Sequence, residues 1–163
     1  MLRVAVLTVS DRSSEGIRPD ASGPVLVQRV NELSWNVAGR AVCPDDVESI
    51  SRQLIEWADN DFADLILTTG GTGVAPRDVT PEATLSVVTR LIPGIPEAMR
   101  AASLLKTPHA MLSRGVAGVR GRSLIINLPG SPKAALENLD AVVAALEHAV
   151  SKIHGDPSDC AQT

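Results

Sequence analysis

"LILTTGGTGVAPRDVTPEAT", residues Leu65 to Thr84, runs from a buried strand through a glycine-rich loop into the start of a helix. Leu65–Thr69 is apolar or β-branched without polar alternation, the pattern of a strand covered on both faces. Thr80-Pro81-Glu82 supplies a capping hydroxyl, a proline for the first helical position and an acid for the first turn, which predicts a helix start with Thr80 as N-cap. Between them, Gly70-Gly71-Thr72-Gly73 removes Cβ atoms that would keep an anion away from main-chain amides. No lysine follows Gly73 as a P-loop requires, and Pro76 stands where a dinucleotide fingerprint needs its third glycine. A tight strand-to-helix turn accounts for the glycines equally well.

Working outward, Arg3–Val9 reads as another doubly covered strand, and Asp11–Gly23 as a polar loop long enough to suggest a function. Gly23-Pro24 opens a helix to about Leu33, and Trp35–Val42 reads as a strand. Asp45, with Glu48 three residues on, has capping-box spacing for a helix whose apolar face is Val47, Ile50, Leu54 and Trp57. A further helix starts at Pro96, and two short strands flank Arg120-Gly121-Arg122. Ser131 caps a last helix with the stripe Leu136, Leu139, Val143, Leu146, Val150 and Ile153. Strands alternating with helices predict a three-layer α/β/α fold, its mostly parallel sheet covered by helices on both faces. Residues 1–155 read as one domain and 156–163 as a flexible tail. Ligands in such sheets bind beyond the carboxyl ends of the strands, where Ser10–Gly23, Gly70–Val79 and Leu128–Ser131 converge.

Composition narrows the function. At 163 residues with 44% hydrophobic and 2% aromatic residues, the chain can bury a core, and that core must be aliphatic. A formal net charge of −4 and few aromatics argue against a nucleic-acid surface. No stretch approaches the ~20 apolar residues of a membrane span, and "MLRVAVLTVS" has no small-residue cleavage site. Cys43 and Cys160 are too few for a disulfide framework, so a reducing cytoplasm is expected.

Asp45 and Asp78 are candidate Mg²⁺ carboxylates, since magnesium on phosphates takes one or two protein carboxylates. A helix cap for Asp45 and an Asx turn for Asp78 are the plainer roles, and one carboxylate can serve both. Arg12, Arg77, Arg114 and Lys133 lie in or beside the loops, and guanidinium forks suit phosphate. Ser113 and Arg114 follow the apolar segment "HAML" and are expected at the end of a strand on the ligand-bearing edge. His109, His148 and His154 lack metal spacing. From these residues alone, the chain is an α/β domain that binds an anion.

Six stretches together resemble the MogA/MoaB family of molybdenum-cofactor biosynthesis, which includes the G domains of gephyrin and its plant counterpart. They are "VSDR" (Val9–Arg12), "DASGP" (Asp20–Pro24), "PDD" (Pro44–Asp46), "TTGGTGVAPRDVTPEAT" (Thr68–Thr84), "AMLSRGVAGVRG" (Ala110–Gly121) and "NLPGSPKA" (Asn127–Ala134). The resemblance spans Arg3 to about Gly155. It implies a homotrimer with molybdopterin adenylyltransferase activity, in which the terminal phosphate of molybdopterin attacks the α-phosphorus of Mg-ATP and pyrophosphate leaves. By the same resemblance Asp45 and Asp78 are catalytic and hold Mg²⁺, while Ser10, Asp11, Arg12, Gly70, Gly71, Thr72 and Gly73 contact the nucleotide and its phosphates. Ser113, Arg114, Pro129, Gly130, Ser131 and Lys133 face molybdopterin, and the product passes to a separate, MoeA-like molybdenum-insertion protein. A non-catalytic molybdopterin-binding carrier of the same pathway is the alternative.

Overall fold

Along β1 (Arg3–Val9), Val4 and Val6 face one way and Ala5, Leu7 and Val9 the other, and the two faces seed two separate apolar cores. In the computed structural model, which describes residues 1–158, the remaining strands are β2 (Asn36–Cys43), β3 (Leu65–Thr69), β4 (Arg90–Leu91), β5 (Ala117–Arg120) and β6 (Ser123–Leu128). The helices are α1 (Asp11–Ser14), α2 (Ser22–Glu32), α3 (Val47–Asp59), α4 (Thr80–Val87), α5 (Gly94–Leu104) and α6 (Pro132–Ile153), with a short 3-10 helix at Pro108–Leu112.

The six strands form one sheet in the order β2-β1-β3-β6-β5-β4. The first four pair in parallel, while β5 runs antiparallel to both β6 and β4. Leu65, Leu67, Leu124, Ile126 and Leu128 join Val4 and Val6 against α2, α5 and α6. Ile66 and Ile125 join Leu7 on the other face, against Ile50, Leu54 and Trp57 of α3 and Ala83 and Val87 of α4. The three-layer architecture read from the alternation of elements is the one observed. Each fully buried Leu or Ile contributes roughly 1.5–3 kcal/mol, so aliphatic residues supply most of both cores. Contrary to the all-aliphatic packing expected, each core also holds one buried aromatic, Trp35 and Trp57 respectively.

Four local expectations need correcting. Asp45 does not cap α3; Asp46 does, its carboxylate accepting from Ser49 N at 2.8 Å. Thr80 lies inside α4, and its hydroxyl donates to Gly70 O at 2.8 Å. "HAML" forms the 3-10 helix rather than a strand, because Thr107 caps it through His109 N and Pro108 fixes its first turn. In α6 the buried line also takes in Ala135 and Val142, while Leu136, Val143 and Ile153 of the expected stripe are only partly buried against the same core. Ser131 does cap α6, accepting from Ala134 N. Cys43 is buried, and desolvation, then the adjacent Asp46 and Asp45, push its thiol up to about 12; Cys160 lies outside the described residues. Among the described residues, no helix is long and apolar enough to cross a membrane.

Candidate active site

Parallel pairing brings the carboxyl ends of β1, β3 and β6 side by side, so the loops after them converge as expected. Two cavities open there. The larger, about 890 Å³, is lined by Ser10, Asp11, Arg12, Asp45, Gly70, Gly71, Gly130 and Ser131 among others. The smaller, about 270 Å³, takes Thr72, Gly73, Ser113 and Pro129. The glycine loop is the wall between them. Asp78, Arg114 and Lys133 line neither cavity.

The wall is held by its neighbours on both sides. Thr69 Oγ1 donates to Pro129 O at 2.7 Å, and Gly70 N to Leu128 O at 3.2 Å, tying the loop to the segment after β6. Gly70 has φ of +103°, and a Cβ there would lie 2.3 Å from Val9 O. At Gly71, φ is +65° and a Cβ would meet Thr80 Oγ1 at 2.4 Å, so only glycine fits at either position. Among the described residues, the N–H groups of Gly71, Thr72, Gly73 and Val74 donate to no protein acceptor. Successive unspent amides are the donors from which an anion-binding nest is built.

The carboxylates form a linked set. Asp11 N donates to Asp45 Oδ2 at 2.7 Å, and Asp45 N returns the bond to Asp11 Oδ1 at 2.9 Å. Arg77 forks onto both Asp11 oxygens, at 2.8 Å each through Nη2. The bond with Asp45 and the Arg77 guanidinium hold the Asp11 carboxyl below its usual range. Asp45 goes the other way: burial raises its pKa, and the nearby Asp11 and Asp78 charges add to the effect. Asp78 Oδ2 accepts from Ala75 N at 2.9 Å, three residues back, rather than from the main chain ahead of it as the anticipated Asx turn requires. No group of three or more His, Cys, Asp or Glu side chains among the described residues is gathered to hold a metal by itself. A carboxylate whose charge is disfavoured, beside unspent amides, is a donor set that suits Mg²⁺ delivered on phosphates.

The basic residues divide. Arg12 lines the larger cavity and forms no ion pair among the described residues. Lys133 is exposed in the first turn of α6. Arg114, expected to grip a substrate phosphate, is committed elsewhere: it is paired with Glu82, and it donates to Gly73 O at 2.7 Å and Asp78 O at 2.6 Å. Ser113, one residue earlier, faces the smaller cavity.

Three site residues carry no assigned role in the sequence. Asp20 lines the larger cavity, accepting from Thr8 Oγ1 at 2.8 Å and Gly23 N at 3.0 Å. The Asp20-x-x-Gly23 spacing at the start of α2 is its signal. Arg18 adds a second cation to that cavity, without an ion pair among the described residues. Asn127 is buried behind the wall, its Nδ2 donating to Thr68 Oγ1 at 3.0 Å and Thr84 Oγ1 at 2.9 Å; no local pattern marks it.

Residues 5–148 match the family described as "Probable molybdopterin binding domain". The chain belongs to that family. Within the molybdopterin-binding-domain family it is 43% identical over 157 residues to a molybdopterin adenylyltransferase of Helicobacter pylori (strain ATCC 700392 / 26695), covering 95% of this chain and 89% of that protein. It is 46% identical over 164 residues to gephyrin of Dictyostelium discoideum, covering 94% of this chain but only 23% of gephyrin's length. Among solved structures, the molybdopterin biosynthesis enzyme MoaB of Thermus thermophilus superposes with a TM-score of 0.90 at 50% identity, over 98% of this chain and 100% of that one.

Proposed function

We propose that this chain is a molybdopterin adenylyltransferase of molybdenum-cofactor biosynthesis, acting on ATP and molybdopterin as substrates. The observation that carries the reading is the shared wall: two cavities meet at one glycine loop whose amides are unspent, which suits a reaction joining two phosphate-bearing molecules. Near-full-length relatives named for this activity support it. The nucleotide occupies the larger cavity beside Ser10, Asp11, Arg12, Asp45, Gly70 and Gly71. Molybdopterin occupies the smaller, beside Ser113 and Pro129, with its terminal phosphate reaching the wall. Gly130 and Ser131 line the larger cavity from the α6 side, so in this reading they face the nucleotide rather than molybdopterin, and Lys133 adds positive charge outside both cavities.

A terminal phosphate oxygen of molybdopterin forms a bond to the α-phosphorus of ATP, the α–β bridging bond breaks, and pyrophosphate leaves. Such transfer asks for positioning and charge stabilisation, not a nucleophilic side chain. The amides of residues 71–74 face the charge that builds on the transferring phosphate and the leaving group. Asp45, with Asp78, would hold Mg²⁺, which when bound neutralises phosphate charge. Arg12 and Arg18 draw the polyphosphate to the larger cavity.

The same reading includes a cytoplasmic homotrimer that passes its product to a MoeA-like insertion protein. Exposed Leu91, Leu104, Leu105, Met111 and Leu112 support self-association. Incubation with molybdopterin and Mg-ATP should release one pyrophosphate per adenylylated product. Tight molybdopterin binding without pyrophosphate release would overturn this reading and leave a carrier.

A further inference from the structure

The trans peptide links each carbonyl to the next residue's N–H in one plane, pointing in opposite directions. Whatever holds the carbonyl of residue i therefore aims the N–H of residue i+1. Applied to the glycine loop, this assigns every unspent amide to a holder. Thr80 Oγ1 donates to Gly70 O at 2.8 Å and so aims Gly71 N–H. Thr80 N donates to Gly71 O at 3.1 Å and aims Thr72 N–H. Arg114 N donates to Thr72 O at 2.9 Å and aims Gly73 N–H. Arg114 Nε donates to Gly73 O at 2.7 Å and aims Val74 N–H.

Two residues thus hold four carbonyls: Thr80 aims Gly71 at the larger cavity and Thr72 at the smaller, and Arg114 aims Gly73 at the smaller and Val74, which lines neither. Arg114 also fixes the far end of the loop through Asp78 O, at 2.6 Å. Glu82, on the same first turn of α4 as Thr80, pairs with its guanidinium. That carboxylate neutralises the charge a phosphate would seek, and the fork's bonded N–H groups all end on the loop or on Glu82.

We infer that Arg114 and Thr80 are the positioning residues that preset the anion-binding amides, and that Arg114 acts through the loop without touching substrate. The kinetic part of this inference rests on the adenylyl-transfer reading; the binding part does not. Amides aimed at developing charge lower the barrier more than they tighten the ground state. Arg114→Ala should therefore reduce kcat by roughly 10²-fold, with much smaller changes in KM for either substrate. Arg114→Lys should recover little, because an ammonium cannot reproduce the fork. Glu82→Gln should also lower kcat. If Arg114 gripped phosphate instead, freeing it from Glu82 would tighten binding, and Arg114→Lys would keep most activity.

Titration of ¹⁵N-labelled protein with inorganic pyrophosphate, followed by amide chemical shifts, reads the geometry directly. In the wild type the Gly71, Thr72, Gly73 and Val74 amides should all move. In Arg114→Ala, which keeps the main-chain bond to Thr72 O, Val74 should lose its response while Gly71, Thr72 and Gly73 keep theirs. In Thr80→Val, which keeps the buried shape and removes the hydroxyl, Gly71 should lose its response and Val74 keep it. A uniform loss across the loop in either variant, or no loss in Arg114→Ala, would overturn the inference. Silent loop amides in a wild-type protein that still releases pyrophosphate would overturn it too, while leaving the catalytic reading intact. A pyrophosphate response with no turnover would do the reverse.

Discussion

Two aspartates at opposite ends of the sheet show how this fold separates support from chemistry. Asp64 lies at the amino end of β3, 6% exposed, and Asp45 lies at the carboxyl end of the sheet, only half-buried. Burial works against ionisation of Asp64, yet Arg3 outweighs it with side-chain bonds down to 2.7 Å and a main-chain bond at 2.8 Å, so the carboxyl sits below its usual range. Asp45 receives one main-chain bond, and the Arg77 guanidinium in its neighbourhood is spent on Asp11; its pKa rises, chiefly through burial. The less exposed acid is the easier one to ionise. A carboxylate whose charge the chain satisfies is structural, and one whose charge it leaves unsatisfied is set for a cation from outside.

The strongest attempt to break this contrast is Asp45→Asn. It preserves the acceptor for Asp11 N and should cut adenylyl transfer by roughly 10²-fold or more, measured as pyrophosphate release; Asp78→Asn should behave alike. Undiminished turnover in both would remove the carboxylates from the chemistry. At the other end, Arg3→Ala should cost about 2 kcal/mol of stability, reduced from the fully buried case because the Arg3 side chain is 37% exposed, with turnover per folded molecule unchanged. Urea titration alongside the assay checks both halves.

Acid titration sharpens the comparison. The folded pKa of Asp64 is depressed, so its stabilising contribution is present above its unfolded value of about 3.9 and is lost as pH falls through the lower folded value. The wild type should therefore lose more stability than Asp64→Asn between neutral pH and strong acid. The folded pKa of Asp45 is raised, so its ionisation weakens the fold once pH exceeds the unfolded value. The smallest effect expected is that Asp45→Asn raises Tm by about 1–3 °C at neutral pH, with the gain vanishing below about pH 4. A lower Tm at neutral pH would show that Asp45 is a supporting residue like Asp64.

How much of this the chain discloses in advance depends on the range of the deciding interaction. β3 is legible to the residue, because five buried positions in a row carry their own signal. The convergence of the three loops follows from topology alone. Sequence places the cap of α3 one residue early, because Asp45 and Asp46 both precede an apolar run at plausible spacing. What separates them is Asp11, 34 positions away, which draws Asp45 out of the helix start. Arg114 misleads for a related reason: a basic residue beside a glycine loop suggests phosphate, and only the fold shows its fork filled by carbonyls 36 and 41 positions distant. Asn127 bonds to partners in other elements, so its spacing conveys little about what it does, and Asp20 is marked locally only by its bond to Gly23.

The exchange of main-chain bonds between Asp11 and Asp45 has a consequence for heredity. Each aspartate is both a carboxylate in the site and the acceptor that seats the other's backbone. A change at one position alters the setting in which the other is selected, so their effects should not simply add. Drift at either position meets resistance from its partner across an intervening helix and strand. The pair behaves as one inherited character written at two places in the gene.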